Sequence, residues 1–122
     1  MNKYFFDTYA FIEIIYGNSN YRELFKDIRI TTSKLNLMEL YYGLLRKHDK
    51  RVAELYYDRF LPFAQEISDE IIKEAMQFRF LHKEKKLSYV DCIGYIMAQK
   101  SNLNFLTGDK QFEGMPKVEF VK

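Results

Sequence analysis

The chain has 122 residues, 48% hydrophobic and 17% aromatic, and a formal net charge of +2. That is enough for one domain that buries roughly two-thirds of its unfolded surface, so the core needs no staple. The single cysteine, Cys92, excludes an internal disulfide and fits a reducing compartment. The charge is too small to name a partner, so basic residues matter only where they cluster. No apolar stretch approaches a bilayer span, and Met1-Asn2-Lys3 leads straight into strand-like residues. The expectation is a soluble, cytoplasmic protein with no membrane contact.

In chain order, Lys3 to Asp7 reads as a short buried strand, and Thr8 to Tyr16 as a helix ended by the loop Gly17-Asn18-Ser19-Asn20. A short helix over Tyr21 to Lys26 precedes a second strand, Ile28 to Thr31. Ser33 is a plausible N-cap for a helix from Leu35 to Lys47. After the break at His48-Asp49, a further helix runs from Arg51 to Phe60 and stops at Pro62. Phe63 to Ile67 is the expected third strand. Ser68 caps a helix whose apolar face is Ile71, Ile72, Ala75, Met76, Phe78 and Leu81, and Ser88 opens another with Val90, Ile93, Ile96 and Met97 inward. Asn104 to Thr107 and Val118 to Val121 are the last strands. Strands alternating with helices imply one α/β domain over residues 1–122, with a mainly parallel sheet covered by helices on both faces.

Four acids interrupt apolar runs that would pack better without them. Asp7 follows Tyr4-Phe5-Phe6, and Glu39 sits within Leu37-Met38-Glu39-Leu40. Asp91 follows Leu87-Ser88-Tyr89-Val90, and Asp109 closes Phe105-Leu106-Thr107-Gly108. Buried carboxylates need a partner, because stripping water from an anion is costly. Asp7 and Asp109 fall at the C-terminal ends of predicted strands, where ligand sites of open α/β sheets lie. Asp91 and Glu39 fall in the early turns of helices that would project to the same rim. Such a cluster invites Mg²⁺ or Mn²⁺, which favour oxygen ligands. Each acid also has a plainer role. Asp91 makes a near capping box with Ser88, Asp109 fits a turn, and Asp7 fits the start of a helix. Glu39 caps nothing, although Lys34 and Asn36 on its helix leave an exposed position open.

The four acids, in this order and in these settings, resemble the PIN domain family of metal-dependent nucleases over essentially the whole chain. The matching pieces are Phe6-Asp7-Thr8, Leu37-Met38-Glu39-Leu40 with Tyr42-Gly43-Leu44, Leu87-Ser88-Tyr89-Val90-Asp91, and Leu106-Thr107-Gly108-Asp109-Lys110-Gln111-Phe112. The resemblance implies an Mg²⁺- or Mn²⁺-dependent endoribonuclease, most like the VapC-type toxins of toxin–antitoxin pairs. It further implies a homodimer held inactive by a small antitoxin. Asp7, Glu39, Asp91 and Asp109 would be the catalytic, metal-binding quartet, supported by the hydroxyls of Thr8 and Thr107. One departure is Gln111, where many relatives carry a further acid, which weakens the case for a second tightly held metal. Cys92 stands where relatives often have a small apolar residue, so packing is its expected role.

His48 and His82 sit in charged segments and are expected to be solvated, which leaves no paired-histidine mechanism. RNA phosphates would meet one of two basic clusters: Arg46, Lys47, Lys50 and Arg51, or His82-Lys83-Glu84-Lys85-Lys86. The alternative for each is a solvated helix end. Two rival readings stay open, a phosphoacceptor receiver domain and a PIN-like domain that binds RNA or a partner without cutting. Tyr41-Tyr42, Leu55-Tyr56-Tyr57 and Phe60 form a surplus apolar face, the expected surface for a second copy or an antitoxin.

Overall fold

The computed structural model describes residues 2–122; Met1, with which the expected domain begins, lies outside the described residues. Five parallel strands form the sheet: β1 (Asn2–Phe6), β2 (Ile28–Ser33), β3 (Ala64–Gln65), β4 (Asn104–Thr107) and β5 (Val118–Phe120). Their order across the sheet is β3-β2-β1-β4-β5. The chain steps outward from β1 to β2 and β3, then returns to the other side of β1 as β4. The order therefore reverses at the β1–β4 pair, the place where α/β sheets open a crevice at the strand ends. This order also differs from the 2-1-3-4-5 arrangement of receiver domains, which removes that reading.

The aromatic run of β1 explains the two-sided core, because successive side chains of a strand point to opposite faces. Tyr4 and Phe6 pack with helices α1 (Thr8–Ile15), α2 (Ser19–Leu24), α3 (Lys34–Lys47) and α4 (Lys50–Phe60). Phe5 packs on the other face with α5 (Asp69–Leu81) and α6 (Tyr89–Lys100). Gly94 lets α6 approach this closely, since a Cβ there would lie 2.9 Å from the Phe5 ring. Cys92 is a free, buried thiol in the same layer, as its packing role requires.

Several local expectations are corrected. The third strand shrinks to Ala64–Gln65, because Leu61–Phe63 turn as a 3₁₀ segment, and it pairs with Thr32 and Ser33 of β2. Helix α2 begins at Ser19, inside the loop signal, since Asn18 caps it by accepting from the Asn20 N–H. On α5, Ile72 and Leu81 are exposed while Ala75 is buried. The surplus aromatic face is mixed: Tyr42 and Leu55 are exposed and Phe60 is buried against Phe11. No helix among the described residues is long and apolar enough to cross a membrane.

Candidate active site

The site begins with Asp7, the residue that follows β1 and caps α1. Its backbone N–H donates to the Leu106 carbonyl of β4 at 3.1 Å, so the carboxyl stands at the β1–β4 reversal. The side chain is only 3% exposed. Its Oδ1 accepts from the Thr8 N–H at 2.9 Å, and its Oδ2 accepts from the buried Thr107 hydroxyl at 2.7 Å. Thr107 in turn accepts from the Asp109 N–H at 3.1 Å, so one hydroxyl sets both strand-end acids. Gly108 between them is obligatory for a steric reason. A Cβ there would lie 2.3 Å from the Tyr9 ring and 2.4 Å from the Val121 carbonyl oxygen.

Glu39 reaches the same place from the second turn of α3. Its Oε1 accepts from the Thr8 hydroxyl at 2.7 Å, and that hydroxyl accepts from Asn36 Nδ2 at 3.2 Å. Asn36 is fully buried, so it does not mark a solvated helix face as the sequence allowed. It bonds the Ser33 hydroxyl at 2.7 Å and positions Thr8 from below. Asp91 enters from the first turn of α6. There it completes a true capping box with Ser88, the two bonds measuring 2.9 and 3.0 Å. Asp109 accepts from the Gln111 N–H at 3.0 Å.

Asp7, Thr8, Glu39, Asp91 and Asp109 line one cavity of about 280 Å³, joined by Tyr9, Ile12 and Glu13 from α1. Among the described residues, no basic side chain lines it. A larger cleft of about 540 Å³, bounded by Phe25, Ile30, Phe60 and Phe63, carries no acid at all. The electrostatics follow from this crowding. Burial first, and the neighbouring Asp91 next, raise Asp7 from 3.8 to about 7. Burial also raises Glu39, against the pull of its Thr8 bond, and raises Asp91, against its bonds to Ser88. Among the described residues, no group of three or more His, Cys, Asp or Glu side chains is already arranged to hold a metal ion. Each carboxylate is turned toward its own cap or hydroxyl instead. The donor set is nonetheless of the kind a hard divalent cation takes, oxygen-only and anionic.

Arg46, Lys47, Lys50 and Arg51 lie outside the cavity, exposed at the end of α3 and the start of α4. His48 is exposed and bonds Tyr16 at 3.2 Å. His82 is half-buried rather than solvated, with its ring on Phe78 and its Nδ1 3.0 Å from the Phe78 carbonyl. Neither histidine lines the cavity. Sequence reasoning missed Tyr9 and Glu13. Their spacing with Ile12 on one face of α1 was the available signal, and Asn18 holds the Glu13 carboxylate at 2.9 Å.

This geometry, a β1–β4 crevice lined by acids from four separate segments, is that of a doubly wound α/β fold with its ligand site at the topological switch point. The family model for the PIN domain matches residues 4–118, and the chain belongs to that family. Solved structures of the same fold include a toxin–antitoxin complex from Klebsiella pneumoniae, 24% identical over 94% of both chains, TM-score 0.73. Another is VapC20 of Mycobacterium tuberculosis, a sarcin-ricin loop cleaving toxin, 19% identical over 97% of this chain and 96% of that one, TM-score 0.82. A third is the DNA-bound VapBC of Salmonella typhimurium, 21% identical over 99% and 98%, TM-score 0.74. No curated protein sequence matches the chain.

Proposed function

We propose that this protein is an Mg²⁺- or Mn²⁺-dependent endoribonuclease that cuts single-stranded RNA, and the toxin of a cytoplasmic toxin–antitoxin pair. The observation that carries the reading is the convergence of Asp7, Glu39, Asp91 and Asp109 on one cavity that, among the described residues, no basic side chain lines. The fold shared with VapC20 and with VapBC complexes supports the same reading. A bound divalent ion would lower the pKa of a coordinated water and offset charge developing on phosphate oxygens. Asp7 and Asp91 are the proposed direct ligands. Glu39 and Asp109 act through water or orient the attacking water. Thr107 and Thr8 hold the Asp7 and Glu39 carboxylates at the cavity wall.

Arg46, Lys47, Lys50 and Arg51 are proposed phosphate contacts away from the cavity. Exposed Met38, Tyr42 and Leu55 on α3 and α4 are the proposed surface for the second copy of a homodimer or for the antitoxin. One observation favours a second reading, a domain that binds RNA or a partner without cutting: each carboxylate already has a partner within the fold. Incubating the purified protein with a panel of RNAs decides between them. The nuclease reading expects internal cleavage with Mn²⁺ that stops in EDTA and in Asp7→Asn. RNAs left intact with both metals favour the non-cutting domain.

A further inference from the structure

The start of α6 carries more than Asp91. Tyr89, in its first turn, is 62% exposed and belongs to neither core cluster. The Arg79 guanidinium of α5 covers one face of its ring, 4.7 Å from the centroid. Arg79 is itself fixed by its Nε, which donates to the Leu87 carbonyl at 3.1 Å. The ring is thus held in place with one face backed by a cation. A second such pair continues along α5, where Lys83 Nζ lies 5.1 Å from the ring centroid of Phe80, which is 70% exposed.

The loop between α5 and α6 is basic, and Gln111 ties it to the turn after Asp109. The Gln111 side-chain carbonyl accepts from the Lys86 N–H at 3.3 Å, and its backbone carbonyl accepts from Lys85 Nζ at 3.2 Å. Its own N–H donates to Asp109. Lys86, whose backbone N–H bonds Gln111, and Lys110, the chain neighbour of Asp109 and Gln111, are both exposed. Cations beside an exposed aromatic face match a polyanion that offers unpaired bases. A duplex keeps its bases stacked inside and could not use the ring.

We infer that Tyr89, backed by Arg79, stacks an unpaired base of single-stranded RNA, while Lys86 and Lys110, set by Gln111, hold the flanking phosphates beside the carboxylates. The choice of RNA as the polymer rests on the proposed function. The test is fluorescence anisotropy of a short labelled single-stranded RNA in EDTA, where cleavage cannot interfere. Tyr89→Ala should weaken binding about 5- to 150-fold, the usual worth of one stacked base, and Tyr89→Phe should bind like the wild type. Lys86→Gln with Lys110→Gln should lower the salt slope by about 1.4, two single-strand phosphate contacts. Unchanged urea midpoints would show that the fold is intact.

Three results would overturn the inference: no measurable RNA binding by the wild type, a Tyr89→Ala protein within twofold of it, or Tyr89→Phe as weak as Tyr89→Ala. Loss of RNA binding only together with a change of oligomeric state would overturn it too, in favour of a protein interface. The proposed function fails separately. A protein that binds as described yet leaves RNA intact with Mn²⁺ keeps this rim and loses the nuclease. One that cuts RNA while Tyr89→Ala binds normally keeps the nuclease and loses the rim.

Discussion

Asp7→Asn probes the electrostatic cost of the site directly. In the folded protein the carboxyl titrates near 7, against 3.8 as its ordinary value. The sign follows from proton linkage. Between these values the folded state holds a proton that the unfolded state has lost, so stability falls as pH rises from about 4 through 7. By pH 8 the cost approaches about 4 kcal/mol, and by pH 5 it is about 2 kcal/mol. The amide escapes this cost but weakens the bonds from Thr8 and Thr107, a loss of about 1–3 kcal/mol that does not depend on pH. The difference between variant and wild type therefore isolates the ionisation. Urea unfolding in EDTA should show Asp7→Asn gaining about 2–3 kcal/mol on the wild type between pH 5 and pH 8. A stability difference that stays constant across that range would refute the argument that burial and Asp91 strain this carboxylate.

Thr8→Val keeps the shape but removes the hydroxyl that joins Glu39 to the buried Asn36, and should cost about 1–3 kcal/mol in chemical denaturation. A change within about 0.5 kcal/mol would mean the node is not formed. Gly108→Ala forces a Cβ against Tyr9 and the Val121 carbonyl, so its thermal midpoint should fall, by about 1–3 kcal/mol or more in stability. An unchanged midpoint would contradict the close approach. Light scattering should give twice the 14.8 kDa of the chain if the exposed residues of α3 and α4 join two copies, and a monomer would defeat that assembly.

The acids were legible because each sits wrongly in an apolar run, and Asp7 and Asp109 because strand ends are where a parallel sheet opens. Their plainer roles were legible too, and the structure keeps them: Asp91 does cap α6 and Asp109 does hold a turn. What could not be read was tertiary. Asn36 looked solvated because a polar residue on a helix usually is, and only the arrival of Thr8 from α1 makes its burial affordable. Strand β3 pairs only with Thr32 and Ser33 at the end of β2, a tertiary register that no local pattern encodes. The Gln111 strap likewise joins segments 25 residues apart, with no periodicity to announce it.

Titration of Mn²⁺, followed by its electron paramagnetic resonance signal, probes whether the four carboxylates act as one cation site. The wild type should bind the ion at neutral pH. Asp7→Asn and Asp91→Asn should each weaken binding by about tenfold or more while the proteins stay folded. Mn²⁺ that remains free with the wild type, or that binds both variants as tightly, would mean that the carboxylates serve only the caps and turns they also form.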